Sequence, residues 1–301
     1  MMEYKMTLIT IITLLTLTVS YALLFDRETK NSLYHIDHLQ GNLYNERLLP
    51  TTEHFTNRGS VAIPDLDAIK DKWSGNSIEP KYWGERVPGV MNRMDTDERV
   101  IALTFDACGG VYGSGYDEKL INFLRKEEIP ATLFINARWI KENKEVFLEL
   151  SNDSLFQIEN HGTEHLPLSL KGGTAWGIMG TTGVEEVIRE VMGNQELIYS
   201  LTGNVPNYYR SGTAYYDEIA VEIVGDLGLT VVNYDILGDA GATYNSTQVR
   251  NALLNANPGS IALLHMNQPA SGTAVGVMEA IPLLREQGFT FVTLSEFDLT
   301  E

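Results

Sequence analysis

The chain has 301 residues, of which 44% are hydrophobic and 21% charged, a composition typical of a soluble globular protein that buries a sizeable core. Its 40 acidic and 22 basic residues give a net charge of −18, which repels phosphate backbones and excludes nucleic acid as an expected partner. There is a single cysteine, Cys108, so an intrachain disulfide is also excluded.

Residues 6–25 form a run of apolar residues and threonines that contains no charged side chain. Such a run is typical of a signal peptide or of a single membrane anchor. Ser20 and Ala22 place small residues at the −3 and −1 positions of a cleavage site after Ala22. We therefore expect residues 1–25 to carry the protein out of the cytoplasm, so that it is secreted or attached to the membrane.

Residues 26–97 are polar and irregular, with prolines at positions 50, 64, 80 and 88. We interpret this stretch as a polar N-terminal extension that contains a few short helices. From residue 98 to residue 301, strand-like and helix-like patches alternate, and we expect this region to fold as one domain.

Seven predicted strands alternate with helices over about 200 residues, which favours a parallel α/β barrel or a doubly wound sheet. The strands are predicted at 100–105, 131–135, 155–159, 207–210, 229–234, 260–265 and 289–294. The helices are predicted at 117–127, 143–151, 184–200, 216–227, 247–255 and 275–286.

Ionisable side chains follow five of these strands at their carboxyl ends, which in an α/β barrel converge on one mouth. Two histidines stand four residues apart in the stretch HGTEH, a spacing that suits a single divalent metal ion. We therefore expect a shared site at this mouth. The side chains concerned are Asp106, His161, His165, Arg210, Asp235, Asp239 and His265.

Five short motifs, TFDAC, NHGTEH, YYRSGTAYY, DILGD and LLH, occur in this order along the chain. Together they resemble the motifs of the polysaccharide deacetylases, the NodB-homology carbohydrate esterases. The resemblance covers roughly residue 98 to the C terminus. It implies a deformed (β/α)7–8 TIM-like barrel, and a hydrolase that removes N-acetyl groups from a polysaccharide such as chitin or peptidoglycan.

The chain departs from the family pattern at four motif positions. Ala107 stands where the family has a second aspartate, and Gly162 follows the first histidine of the second motif. Gly212 replaces a proline of the third motif, and Ala240 replaces a tryptophan of the fourth.

The resemblance also implies the acid and base of the reaction. Asp106 matches the family's general base, and His265 matches the acid that protonates the departing amine. Asp239 matches the carboxylate that holds this histidine and raises its pKa. Arg210 matches an arginine that lines the groove and orients Asp106.

A divalent metal, expected to be zinc, is implied on His161 and His165, and the loss of the aspartate at Ala107 leaves its third ligand open. Glu159 is one candidate ligand, because alternate residues of an extended strand share a face. A second hypothesis is that Asp106 itself binds the metal. A third is that Glu159 is a structural acid paired with a neighbouring basic side chain.

Four further residues are expected to contact substrate. Gly109 and Gly110 allow the chain to turn after the first strand and leave room at the mouth. Trp176 lies in a glycine-rich stretch, 171–183, that we expect to lack regular structure, and its ring suits stacking on a sugar. Tyr215, in the third motif, is a second aromatic candidate.

Two alternative functions remain open at the level of sequence. The same fold acts on a small amide or cyclic imide in some relatives that also lose metal ligands. A catalytically inactive carbohydrate-binding protein is the other alternative, although binding alone requires neither an acid nor a base. In the leading interpretation, the partner is a polysaccharide or oligosaccharide substrate.

Overall fold

The computed structural model describes residues 64–75 and 78–301. The expected signal peptide or membrane anchor, 1–25, lies outside these residues. Residues 26–63 and 76–77 of the polar extension lie outside them as well. Within the part of the chain that is described, no helix is both long and apolar enough to cross a membrane.

The strands are short, and most of them belong to one sheet. They are β1 (Arg93–Met94), β2 (Val100–Ala107), β3 (Ala131–Ile135), β4 (Phe156–Asn160), β5 (Thr174–Ala175), β6 (Ile178–Met179), β7 (Tyr208–Tyr209), β8 (Thr230–Val231), β9 (Ile236–Leu237), β10 (Ser260–His265), β11 (Thr290–Val292) and β12 (Leu299–Thr300).

The main sheet has the order β12-β1-β10-β2-β3-β4-β7-β8, with β11 paired to β2 and β9 paired to β10. All neighbours from β10 to β8 run parallel, whereas β1 is antiparallel to both β10 and β12. The sheet curls into a half-barrel with helices around it. The predicted α/β class and the deformed barrel of the NodB-homology type are confirmed.

Helices connect the strands and cover the outside of the sheet. They are α1 (Leu66–Trp73), α2 (Glu118–Lys126), α3 (Ala137–Glu142), α4 (Lys144–Ser151), α5 (Val184–Thr202), α6 (Glu218–Asp226), α7 (Ser246–Leu253) and α8 (Thr273–Glu286). Side chains of Asp117, Asn136, Asp217 and Asn245 accept hydrogen bonds from the first-turn amides of α2, α3, α6 and α7. These caps satisfy donors that a helix cannot pair internally.

The alternation of side chains along β2 determines which residues reach the site. Phe105 and Ala107 belong to the apolar layer between sheet and helices. Thr104 and Asp106 point to the opposite face, where both contact Arg210. Since side chains alternate along a strand, Cys108, the next residue of the chain, returns to the face of Asp106.

The described part of the N-terminal extension packs against the sheet. Arg93 pairs with Ser260 in the ladder between β1 and β10, and Met91 forms a parallel bridge with Val232. The division of the chain at residue 98 stays a prediction, although residues that precede it supply a strand.

Three local features differ from the sequence prediction. Strand β2 continues to Ala107, two residues further than expected, because Asp106 and Ala107 pair with β3. The glycine-rich stretch 171–183 is not irregular, since β5 and β6 form a hairpin within it. The predicted strand 229–234 is shortened to β8, Thr230–Val231, and a separate strand, β9, follows it and pairs with β10.

Candidate active site

The predicted acid and base residues lie together at the carboxyl ends of the parallel strands. His265 is the last residue of β10 and stands directly beside Asp106 of β2 in the register. Arg210 follows β7, and its NH1 donates to Oδ1 of Asp106 over 2.8 Å. Asp239 follows β9, and its Oδ1 lies 2.8 Å from Nδ1 of His265.

Arg210 is completely buried, and each of its three guanidinium nitrogens donates at least one hydrogen bond. Besides Asp106, it donates to the hydroxyl of Thr104 and to the carbonyl oxygens of Val232 and Asn233. The guanidinium also lies over the ring of Phe134, 4.1 Å from the centroid. This network fixes Oδ1 of Asp106 and leaves Oδ2 directed at His161, whose Nε2 is 3.7 Å away.

His265 and Asp239 form a buried ion pair. Burial lowers the pKa of His265, but the Asp239 carboxylate outweighs it and holds that pKa well above its usual value. Burial raises the pKa of Asp239, but His265 and the hydroxyl of Thr273 outweigh it, so the pKa is lowered. The pair is therefore suited to keep His265 protonated.

A group of three metal-ligating side chains lies next to these pairs. Ligand atoms of Cys108, His161 and His165 all lie within 4.8 Å of one another. Nδ1 of His161 donates to the carbonyl oxygen of Arg210 over 2.9 Å, which turns Nε2 towards the thiol of Cys108, 3.8 Å away. One thiol and two imidazoles are the donor set that zinc prefers in proteins.

Two observations indicate that this group fits a metal ion. Nε2 of His165 is buried and has no hydrogen-bond partner among the described residues. Burial raises the pKa of the Cys108 thiol, but the surrounding histidines outweigh it, with His165 first among them, and hold the pKa well below its usual value. A thiolate is the form of cysteine that binds metal.

Glu159, the ligand candidate from the sequence, lies outside this group, and its hydrogen bonds favour another role. Its Oε2 accepts hydrogen bonds from the backbone amides of Asn207 and Tyr208, and its Oε1 accepts one from Gln157. Phe134 stands between Asp106 and Glu159 in the register of β2, β3 and β4. Glu159 thus supports the start of β7, as a structural acid held by amides rather than by a basic side chain.

Asp235 also serves the fold rather than the site. Its carboxylate forms an ion pair with Arg93 and accepts hydrogen bonds from the hydroxyl of Ser260 and the amide of Ile261. Of the two aspartates in the motif DILGD, only Asp239 faces the histidine of β10.

Gly109 and Gly110 both have positive φ, 71° and 81°, as the predicted turn requires. A Cβ on Gly109 would lie 2.4 Å from the backbone nitrogen of Trp139, so the absence of a side chain allows this loop to pack on α3. Contact of either glycine with substrate stays a prediction.

The two aromatic candidates contact each other. The rings of Trp176 and Tyr215 pack edge to face with centroids 5.9 Å apart. Trp176 is 75% exposed, at the tip of the hairpin formed by β5 and β6. A third ring, that of Trp83, lies 5.8 Å from Tyr215.

Two residues of this region were missed at the level of sequence. Cys108 was not predicted as a site residue, although the period of two along TFDAC would place it on the face of Asp106 if the strand were extended to Ala107. No local pattern pointed to Trp83, because it lies in the polar extension and reaches Tyr215 only through the tertiary fold.

Comparison with known proteins identifies related sequences. Residues 93–232 match the family model described as polysaccharide deacetylase. The peptidoglycan-N-acetylmuramic acid deacetylase PdaA of Bacillus subtilis (strain 168) is 25% identical over 232 residues, covering 72% of this chain and 81% of the relative. The peptidoglycan-N-acetylglucosamine deacetylase PgdA of Listeria monocytogenes is 23% identical, and the match covers 77% of this chain and 46% of the relative.

Solved structures share the fold. That of Bacillus subtilis PdaA, a family 4 carbohydrate esterase, has a TM-score of 0.57 at 23% identity, covering 80% of this chain and 94% of the other. A family 4 pseudoenzyme from Bacillus anthracis has a TM-score of 0.58 at 20% identity, covering 70% and 69%. A mutant of that pseudoenzyme with restored enzymatic activity matches equally well, with a TM-score of 0.58 at 21% identity, covering 70% and 72%.

Proposed function

Because this chain belongs to the polysaccharide deacetylase family, we propose that it is a metal-dependent hydrolase that removes N-acetyl groups from a peptidoglycan-like or chitin-like glycan. The observation that carries the proposal is the arrangement of two buried pairs, Asp106 with Arg210 and His265 with Asp239, around the group formed by Cys108 and the two histidines. Amide hydrolysis needs a base for water, an acid for the amine and stabilisation of the carbonyl oxygen.

Cys108, His161 and His165 are the residues that would hold the metal. A divalent cation bound there supplies Lewis-acid polarisation of the amide carbonyl and lowers the pKa of water. The hydrogen bond from Nδ1 of His161 to the carbonyl oxygen of Arg210 fixes the ring and its tautomer, which leaves Nε2 available as a ligand.

Asp106 accepts the proton of the attacking water. Its Oδ1 is occupied by Arg210, so Oδ2, which faces His161, is the oxygen that acts as base. Since Arg210 is fixed by four acceptors, Asp106 cannot rotate away when substrate binds.

His265 delivers a proton to the departing amine. Nδ1 is bound to Asp239, so Nε2 is the nitrogen that donates. Asp239 is held in turn by the amide of His265 and the hydroxyl of Thr273, and the imidazole is therefore oriented before substrate arrives.

The alternative function is that of an inactive carbohydrate-binding protein, which we consider because one protein of similar fold is a pseudoenzyme. The acid and base pairs of this chain favour an enzyme, because stacking and hydrogen bonding to sugars require neither. A small amide as substrate is less well supported, since the exposed aromatic rim suits a glycan.

The test uses the full chain, stripped of metal and then supplied with zinc or cobalt. Acetate release and new free amines are measured on peptidoglycan glycan strands and on chito-oligosaccharides, with small amides and cyclic imides in parallel. His265→Ala should lower kcat by about 10²–10⁴-fold at unchanged thermal stability. Asp71→Asn, an exposed carboxylate on α1, is the matched control and should retain full activity.

Each possible result has a definite meaning. Acetate release from glycans that needs metal and fails in His265→Ala supports the deacetylase. Glycan binding without any acetate release supports the inactive binding protein, and turnover of small amides alone supports the second enzyme alternative.

We also infer that the protein acts outside the cytoplasm, because residues 6–25 are an uncharged apolar run and the relatives named above are peptidoglycan deacetylases. A chain shortened to begin at Asp26 should remain soluble and folded but stay inside the cell. Fractionation of cells that express each form measures this directly, and export of the shortened chain would contradict the inference.

A further inference from the structure

We propose that Trp83, Tyr215 and Trp176 form one aromatic platform that stacks on a pyranose ring of the glycan beyond the residue that is deacetylated. The proposal rests on the function proposed above and extends it to a second sugar subsite. Trp83 lies outside residues 93–232, so the family match does not include it. Tyr215 is the ring that both tryptophans contact, with interplanar angles of 52° to Trp83 and 85° to Trp176.

The backbone at Trp176 is held in a conformation that this residue type rarely adopts. Ala175 pairs with Ile178, so Trp176 and Gly177 form the two-residue turn of the hairpin. Their φ angles are 53° and 81°, the pattern of a type I′ turn, in which asparagine is strongly preferred at the first position. A tryptophan there is unfavourable for the turn itself, and its ring is 75% exposed. The ring therefore serves something other than the stability of the hairpin.

The position of Trp83 is fixed by the segment that carries it. Gly84 exchanges two backbone hydrogen bonds with Tyr216, of 3.0 and 3.1 Å. The carboxylate of Glu218 accepts bonds from the amides of Lys81 and Tyr82. Trp83 is thus placed beside Tyr215 by backbone pairing that does not involve its own side chain.

The glycine-rich base of the hairpin is shaped to receive Trp83. A Cβ on Gly173 would lie 2.7 Å from the Trp83 ring, so the ring packs directly on the backbone of Gly173. Gly180 donates to the carbonyl oxygen of Gly173 over 2.8 Å and closes the base of the hairpin. This contact accounts for Gly173 and leaves 37% of Trp83 exposed.

The platform is continuous with the active site through the loop that follows β7. Arg210 starts this loop, and its carbonyl oxygen holds His161. Two residues later, a Cβ on Gly212 would lie 2.3 Å from Cγ of His165, so the loop packs against the second histidine. The same loop then carries Tyr215. A glycan whose acetamido group binds at Cys108 and the two histidines would therefore extend along this loop towards the three rings.

The chemistry of the platform fits a neutral sugar. The three side chains carry no charge, and the net charge of −18 disfavours anionic ligands. The C–H faces of a pyranose ring complement the faces of aromatic rings, and indole N–H and phenol O–H groups suit sugar hydroxyls. An exposed apolar patch at the rim of a site is also the usual mark of a binding surface.

The decisive variant is Trp176→Asn, because asparagine suits the turn while the ring is lost. We expect unchanged or higher thermal stability. On the tetrasaccharide of N-acetylglucosamine, KM should rise about three- to tenfold, the effect of one stacked ring, with kcat within about twofold. On N-acetylglucosamine alone, which has no second sugar to reach the platform, KM should hardly change.

Two further variants, Trp83→Phe and Trp83→Ala, extend the KM measurement to the second tryptophan. The phenylalanine variant keeps an aromatic ring at this position, and the alanine variant removes it. Tyr82→Ala is the matched control, since Tyr82 is an exposed aromatic on the same segment, 55% exposed. It should leave KM for both substrates unchanged. Equal KM values for Trp176→Asn and wild type on the tetrasaccharide, or an equal rise on N-acetylglucosamine alone, would overturn the proposal.

A binding measurement separates this proposal from the deacetylase itself. Tetrasaccharide is titrated into the full chain carrying Asp106→Asn, alone and with Trp176→Asn, by calorimetry. Weaker binding in the double variant supports the platform even if no substrate is ever turned over. Equal binding contradicts it, and binding of both forms to neutral lipid vesicles instead of the sugar would assign the rings to a membrane surface.

Discussion

Replacing Asp239 by asparagine tests the assignment of His265 as the acid. The change preserves the size of the side chain but removes the charge. Oδ1 of Asp239 faces Nδ1 of His265, and Oδ2 accepts from the amide of His265 and the hydroxyl of Thr273. One of these two oxygens becomes an NH2 group in the variant.

Either orientation of the new amide has a cost. An NH2 group in the place of Oδ2 faces the buried N–H of His265, and the mismatch costs about 1–3 kcal/mol of folding stability. An NH2 group in the place of Oδ1 instead forces the neutral tautomer with its proton on Nε2. In both orientations His265 loses the carboxylate that raises its pKa, while burial still lowers that pKa.

The pH dependence of the rate follows from the sign of this shift. A raised pKa keeps His265 protonated to higher pH, so the variant loses its acid form at lower pH. We expect kcat to fall by about 10²–10⁴-fold at neutral pH, and the alkaline limb of the kcat profile to move to lower pH. The assay is acetate release over a range of pH values, with thermal unfolding measured on the same samples.

Thr273→Val is the matched control, because it removes one hydrogen bond to Asp239 and leaves the charge in place. Its stability should fall by about 1 kcal/mol, with the alkaline limb unmoved. An alkaline limb at the same pH in wild type and Asp239→Asn would refute the role of the pair.

The other predictions concern the metal group and the buried acids. Cys108→Ser should weaken zinc binding by more than about 100-fold and abolish the thiolate-to-metal band in the spectrum of the cobalt form; a retained band would exclude Cys108 as a ligand. Ala107→Asp should not restore zinc in that background and should destabilise the fold by about 3 kcal/mol or more, since Ala107 lies in the apolar layer; restored zinc content would contradict this orientation. Glu159→Gln should keep full zinc content, and a loss of zinc would return Glu159 to the ligand set. Burial raises the pKa of Glu159 from 4.5 to about 7, so the folded state holds this proton more tightly and stability falls as pH rises across that range. The free energy of unfolding in urea should therefore differ less between about pH 5 and about pH 8 in Glu159→Gln than in wild type, by up to about 3 kcal/mol. An equal difference in the two proteins would contradict the assigned shift of the pKa.

The sequence predicts the class of fold and the convergence of the acid and base residues, because both depend on local periodicity. Asp106, Arg210 and His265 each follow a hydrophobic strand, and parallel strands present their carboxyl ends at one edge. The structure brings these three together as that argument requires.

Cys108, the proposed third metal ligand, was not predicted, because its direction depends on where β2 ends. With the strand placed at 100–105, Cys108 belongs to a turn and its direction is undetermined. Pairing of Asp106 and Ala107 with β3 extends the alternation by two residues and brings Cys108 to the site. Strand ends are set by partners distant in sequence, which local patterns do not contain.

The role of Glu159 was undetermined for a similar reason. Alternation along β4 is compatible with a face shared with His161, but the hydrogen bonds of a buried carboxylate decide where it points. The amides of Asn207 and Tyr208, 48 and 49 residues away in the chain, take both of the bonds on Oε2. The same holds for Trp83 and Tyr215, which only the tertiary fold brings into contact.

The most direct test of the whole account is a titration of zinc into the metal-free full chain, with acetate release from an N-acetylated glycan as the readout. We expect no release without metal, a linear rise with added zinc and a break at about one zinc per chain. For Asp106→Asn we expect no rise at any zinc concentration. Acetate release by the metal-free protein, or equal release by Asp106→Asn, would contradict the central claim that Asp106 and the metal group of Cys108, His161 and His165 act together.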